Sequence, residues 1–209
     1  MKHKAFTLAE LLVAIFIIGI LLLLTMPRIV DNMIKKNYVA SLQRVYLAMS
    51  NATKIMLEDE RTSSVERTYL YMTSGESVEG SAGMFLHKYF RFASDCQTSK
   101  TPCFADTYKT MDMSQNIVFP SDGAMYCGLL TMRASICLVP PQDEEKGIVF
   151  VDVNGPVKPN VSGRDLFSFY IYPDGYVGDR EEDADQCGSS TSATGCFKKL
   201  IRLNWVMDY

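Results

Sequence analysis

Apolar residues run almost unbroken from Phe6 to Met26 (FTLAELLVAIFIIGILLLLTM), with a single carboxylate, Glu10, inside the run. As a helix rising 1.5 Å per residue, the run is about 31 Å long, enough to cross a bilayer core of roughly 30 Å. No second run of this kind occurs. After Pro27 the pattern changes: Ile34, Tyr38, Leu42, Val45, Met49, Ala52 and Met56 recur at steps of three and four, the period of a helix with one apolar face. Together the two patterns predict one helix from Phe6 to Asp59, bent at Pro27, whose ring removes a backbone donor. Its outer half is expected to lay the stripe on the chain's own sheet.

Beyond the helix, Arg61 to Gly80 is rich in Ser, Thr, Glu and Gly and predicts a loop. Ser81 to Phe92 predicts a short helix. Four segments rich in β-branched and aromatic residues then predict strands: Ala124 to Met132, Ser135 to Val139, Ile148 to Val153 and Leu166 to Tyr172. Turn signals separate them at Ser121-Asp122-Gly123, Asn154-Gly155 and Pro173-Asp174-Gly175. Phe197 to Trp205 predicts a short amphipathic helix or an edge strand. The class is α+β, a long N-terminal membrane-spanning helix packed on a C-terminal antiparallel sheet of about four strands. The predicted divisions are 1–5 leader, 6–27 transmembrane and assembly helix, 28–59 its amphipathic continuation, and 60–209 an extracytoplasmic α+β body.

Composition adds a compartment. All six cysteines, Cys96, Cys103, Cys127, Cys137, Cys187 and Cys196, lie beyond the anchor, an even number that suits disulfides outside the cytoplasm. Fifteen pairings are open to six cysteines. If Leu130 and Ala134 flank a three-residue turn, Cys127 and Cys137 face each other across a hairpin at a spacing that suits a disulfide. Proximity along the chain suggests Cys96 with Cys103 and Cys187 with Cys196. Zinc is disfavoured, since no CxxC pair occurs and His87 is the only histidine beyond the leader. The formal charge is -3, which gives no sign of nucleic-acid binding. No Walker GxxxxGK, GxSxG or HExxH motif occurs, so the chain is expected not to be an enzyme.

The first residues carry the most specific signal. Met1 to Ala5 is a basic leader too short for an ordinary secretory signal, and cleavage after Ala5 would leave the anchor attached. An intramembrane carboxylate is costly and points to a functional partner. A freed amine on Phe6 is the obvious one. Phe6, Thr7, Leu8, Glu10 and Leu11, with Gly19 in mid-helix and Pro27 as the helix-bending proline, resemble the prepilin-processing motif of type IV pilins and type II secretion pseudopilins. The resemblance covers about thirty residues, and Ala5 stands where most members have Gly.

The resemblance implies that a prepilin peptidase removes Met1 to Ala5, that the Phe6 amine is methylated, and that Glu10 meets the Phe6 amine of a neighbouring subunit during assembly. Partners would be other pilin or pseudopilin subunits, the inner-membrane assembly platform with its ATPase, and the membrane itself, crossed once. Losing Lys2 and Lys4 with the leader takes the basic residues from 21 to 19 against 24 acids, a charge of -5. Lys2 and Lys4 keep the leader cytoplasmic by the positive-inside rule, although Arg28, Lys35 and Lys36 weaken the contrast. The chain then sits in the inner membrane with its body outside the cytoplasm. Gly163 to Asp179 resembles a segment of major pseudopilins that leads into a calcium-binding acidic loop. Asp174, Asp179, Glu181 and Asp183 are the candidate ligands, and a merely solvated acidic loop is the plainer alternative. The expected function is a filament subunit supporting protein secretion; the alternative is a minor tip subunit that binds a secreted protein, a surface or DNA.

Overall fold

A computed structural model describes residues 7–143 and 145–209 of the chain. Helix α1 runs unbroken over Leu8–Asp59, through Gly19 and Pro27. The chain divides into two compact units, residues up to Asn37 and Tyr38–Tyr209. The second unit takes in the outer part of α1. The reason lies in α1: Val39, Leu42, Val45, Met49, Ala52 and Met56 are buried in the core of the second unit, so this half of the helix belongs to the body.

In the body, the predicted loop 61–80 is punctuated by a 3-10 turn, Val65–Arg67. The predicted helix over 81–92 is a π-helical turn, Glu79–Gly83, running into α2, Met84–Tyr89. The sheet has six antiparallel strands rather than about four, in sequential order: β1 Phe92–Gln97, β2 Tyr126–Leu130, β3 Ser135–Val139, β4 Gly147–Asp152, β5 Leu166–Ile171 and β6 Val177–Gly178. The two extra strands are its edges. β1 reads FASDCQ, mostly exposed and interrupted by two irregularities in its pairing with β2, so it carries little β-branched or alternating signal. β6 has only two residues. The closing segment is a helix, α3, Cys196–Arg202.

Strand alternation sorts the sheet into two faces. Leu130, Ile136, Leu138, Val149, Val151, Phe167, Phe169 and Ile171 share one core with the buried stripe of α1. Ser41 Oγ of α1 donates to the Val153 carbonyl at 3.2 Å, and Tyr46 packs its ring against Phe169, Phe197 and Trp205. The opposite positions, Cys127, Cys137, Phe150 and Leu166, form a second core with Phe104, Tyr108 and Ile117. The chain between β1 and β2 covers much of the far face, Ala193 meets Ser168 of β5 from a later segment, and β5 is buried along its whole length. Gly128 of β2 is required by close approach: a Cβ there would run into the ring of Phe92.

Candidate assembly site

Ala5 and Phe6, the predicted cleavage junction, lie outside the described residues. The site is therefore seen from Thr7 onward. Thr7 precedes the first helical residue, and its Oγ1 accepts the Glu10 backbone N–H at 3.3 Å. In return, Glu10 Oε2 accepts the Thr7 backbone N–H at 2.9 Å and the Thr7 hydroxyl at 2.8 Å. This is a reciprocal capping box, in which two backbone donors that begin every helix without partners are satisfied by side chains. The spacing Thr-x-x-Glu was present in the sequence and pointed to it. A carboxylate in the first turn also complements the positive end of the helix dipole. Glu10 is thus anchored at one oxygen, and its side chain is exposed to whatever surrounds the helix.

Of the described residues of the first unit, none is buried: Leu8, Leu12, Phe16, Leu23 and Leu24 are all largely exposed. α1 is the one helix among the described residues long and apolar enough to cross a membrane. At Gly19 a Cβ would meet no atom, so nothing inside the chain demands a glycine there. Pro27 lies inside the helix, where Pro is tolerated more readily in a spanning segment than in a soluble one.

The cysteines are joined as Cys96–Cys103, Cys127–Cys137 and Cys187–Cys196. Leu130 N–H bonds to the Ala134 carbonyl at 2.8 Å, and the turn between them sets the register in which Cys127 faces Cys137.

The four acidic candidates for calcium are not brought together. Asp174 is held by Arg180, Glu181 by Lys146 at 2.7 Å, and Asp183 accepts the backbone N–H of Asp185. Asp179 accepts the Glu182 N–H at 3.2 Å and keeps its second oxygen unpartnered. No group of three or more His, Cys, Asp or Glu among the described residues is placed to hold a metal. Ca2+ takes six to eight oxygens at roughly 2.3 to 2.6 Å. These residues do not fit such a site, because two of the four carboxylates face cations of the chain.

The outer core holds a buried acid that the sequence did not single out. Tyr108 donates its hydroxyl to Asp152 Oδ2 and accepts the Ala105 N–H at 3.1 Å, while Asp152 Oδ1 accepts the Asn154 N–H at 3.1 Å. Burial, and then the neighbouring Asp165, push the Asp152 carboxyl from its ordinary 3.8 up to about 8. Asp165 is itself raised by burial, against the bonds it accepts from the N–H groups of Val161 and Asn160.

A long helix whose described anchor residues are not buried, followed by an antiparallel sheet that buries the helix's other half, defines a pilin-like α+β architecture. Residues 1–26 match the family model described as the prokaryotic N-terminal methylation motif, the signature of type IV pilins and pseudopilins. No curated protein and no solved structure matches the chain significantly.

Proposed function

We propose that the chain is a structural subunit of a type II secretion pseudopilus or a type IV pilus-like filament, trimmed by a prepilin peptidase and polymerised through α1. The observation that carries this reading is the methylation motif at residues 1–26 on a helix whose described membrane-length stretch holds no buried residue. In the proposed mechanism, cleavage after Ala5 frees the Phe6 amine. That amine pairs with Glu10 of a neighbouring subunit, so two groups costly in lipid satisfy each other as the filament grows. Thr7 holds the Glu10 carboxylate through Oε2 at the start of the helix. Assembly and charge neutralisation become one event. The body stands outside the cytoplasm, where its disulfides persist.

Glu10→Ala is expected to remain in the membrane fraction yet to be missing from sheared filaments, while mass spectrometry of the wild-type product finds the mature terminus at Phe6. Normal incorporation of Glu10→Ala, or a terminus elsewhere, would overturn this reading. A tip subunit with a binding role is favoured only by the stapled layer over the far face of the sheet. Purified filaments decide between the two, since a main subunit dominates their mass and a tip subunit is scarce.

A further inference from the structure

The acidic segment after β5 is met by cationic side chains from three places: the segment itself, the approach to β4, and α3. Arg180 Nη2 donates to both Asp174 oxygens, at 2.8 and 2.6 Å, and its guanidinium lies 4.6 and 4.3 Å from the ring centres of Tyr172 and Tyr176. Lys146, arriving just before β4, places Nζ 2.7 Å from Glu181 and 4.0 Å from Glu182, and 3.9 Å from the ring centre of Tyr170. Tyr170 in turn donates its hydroxyl to Glu182 at 2.7 Å. From α3, Arg202 pairs with Asp185 at 3.0 Å and Lys198 donates to the Arg180 carbonyl at 2.8 Å. The far end is fastened by the Cys187–Cys196 disulfide.

We propose that this segment, residues 174–185, is a clasp closed by the chain's own Lys146 and Arg180, in the role a divalent cation would otherwise fill, and that its fold is independent of calcium. A cation resting on an aromatic face and paired with a carboxylate gains from both contacts. A Ca2+ entering between Glu181, Glu182 and Asp174 would have to displace Lys146 and Arg180 from carboxylates they already neutralise, and would then face both as like charges. Asp179 does not reverse this. It is 5% exposed, and one of its oxygens already accepts the Glu182 N–H, so by itself it offers a cation a single buried ligand. The clasp belongs to the body and does not depend on whether the chain forms filaments.

The test uses the full chain in detergent micelles, melted with EDTA and again with millimolar CaCl2. The same melting temperature is expected in both solutions. Lys146→Met and Arg180→Met are each expected to melt several degrees lower in both, and Lys146→Arg to recover most of the loss. A calcium-dependent rise in the wild type, abolished in Asp179→Asn, would overturn the proposal, as would a Lys146→Met protein that melts like the wild type. Should Lys146→Met fail to fold, the wild-type chelator comparison and Lys146→Arg still decide it: a fall in EDTA counts against the clasp, and indifference supports it.

Discussion

The two faces of the sheet are built from different chemistry. The face under α1 is closed chiefly by aliphatic and aromatic side chains, with Leu42, Val45 and Met49 fully buried in one core with Ile136, Val149 and Phe167, and that core also holds the Cys187–Cys196 disulfide. The far face is closed mainly by the chain between β1 and β2, which has no strand or helix of its own, and by Ala193 of a later segment, and it relies on covalent and polar bonds: two disulfides, the Tyr108–Asp152 hydrogen bond, and Ser168 Oγ donating to the Ala193 carbonyl at 2.8 Å. A regular helix supplies a continuous apolar stripe and needs no staples. An irregular covering strip presents backbone groups that must be satisfied one by one, and it loses more entropy on ordering. The contrast predicts that the far face answers to pH and to reduction of its two disulfides, while the residues packed on α1 answer chiefly to the volume placed among them.

The largest effect should appear as a slope with pH. The folded state holds the Asp152 proton more tightly than the unfolded chain does, since its value rises from 3.8 to about 8. Its contribution to stability is therefore complete below the unfolded value and is lost as pH climbs through the folded one. Within that window each pH unit costs up to about 1.4 kcal/mol. Chemical denaturation at pH 5 and pH 8 should show the wild type more stable at pH 5. Asp152→Asn keeps an acceptor for the Asn154 N–H and should flatten most of the slope, with Asp165 supplying the remainder in the same direction. An unchanged slope in the variant would mean that the far face is not the pH-sensitive one.

Next in size is the α1 face. Leu42→Ala is expected to cost about 2 to 5 kcal/mol, the range for a fully buried leucine that leaves a cavity. Leu12→Ala, on the exposed anchor half of the same helix, should leave the unfolding of the body unchanged. The Leu42→Ala loss should be the same at pH 5 and pH 8. Coupling between Leu42→Ala and Asp152→Asn beyond about 0.5 kcal/mol would show that the two faces are not independent.

What the sequence made legible follows the same division. The period of α1 from Ile34 to Met56 and the β-branched cores of β2 to β5 announce themselves because a single regular face must be buried, and periodicity records that. The Leu130 to Ala134 turn even discloses which residues oppose each other across β2 and β3. The cover over the far face was not legible. Phe104, Tyr108, Ile117 and Phe119 sit at irregular intervals in a loop, so their burial depends on long-range placement, which periodicity does not encode. One hint was present in β5, whose LFSFYI has apolar or aromatic side chains at nearly every position, as expected for a strand buried on both sides. At the assembly site, leader length and a lone acid were readable, and the Thr7–Glu10 spacing could have been.

Removing the Cys127–Cys137 bond by paired Cys→Ser substitution should cost roughly 2 to 4 kcal/mol, because it frees a short loop of the unfolded chain and leaves two small polar groups in an apolar core. Partial reduction followed by limited proteolysis should cut within residues 98–124 before it cuts α1. Cleavage in the opposite order would make the far face the stronger of the two.

The smallest effect sharpens what kind of polar bond the far face uses. Lys100 lies on the outside of the covering strip, with Nζ 4.9 Å from the ring centre of Phe119 and donating to the Asp106 carbonyl at 2.7 Å. Partial burial lowers its pKa, so the site does little to favour the cation over a neutral group. Lys100→Met keeps an apolar stem over the ring and gives up one partly solvated hydrogen bond. The expected loss is well under about 1 kcal/mol, in line with a half-exposed cation–π contact. A loss comparable to that of the disulfide would place surface charge among the bonds that close this face; a small one leaves the task to the staples and to the buried Tyr108–Asp152 pair.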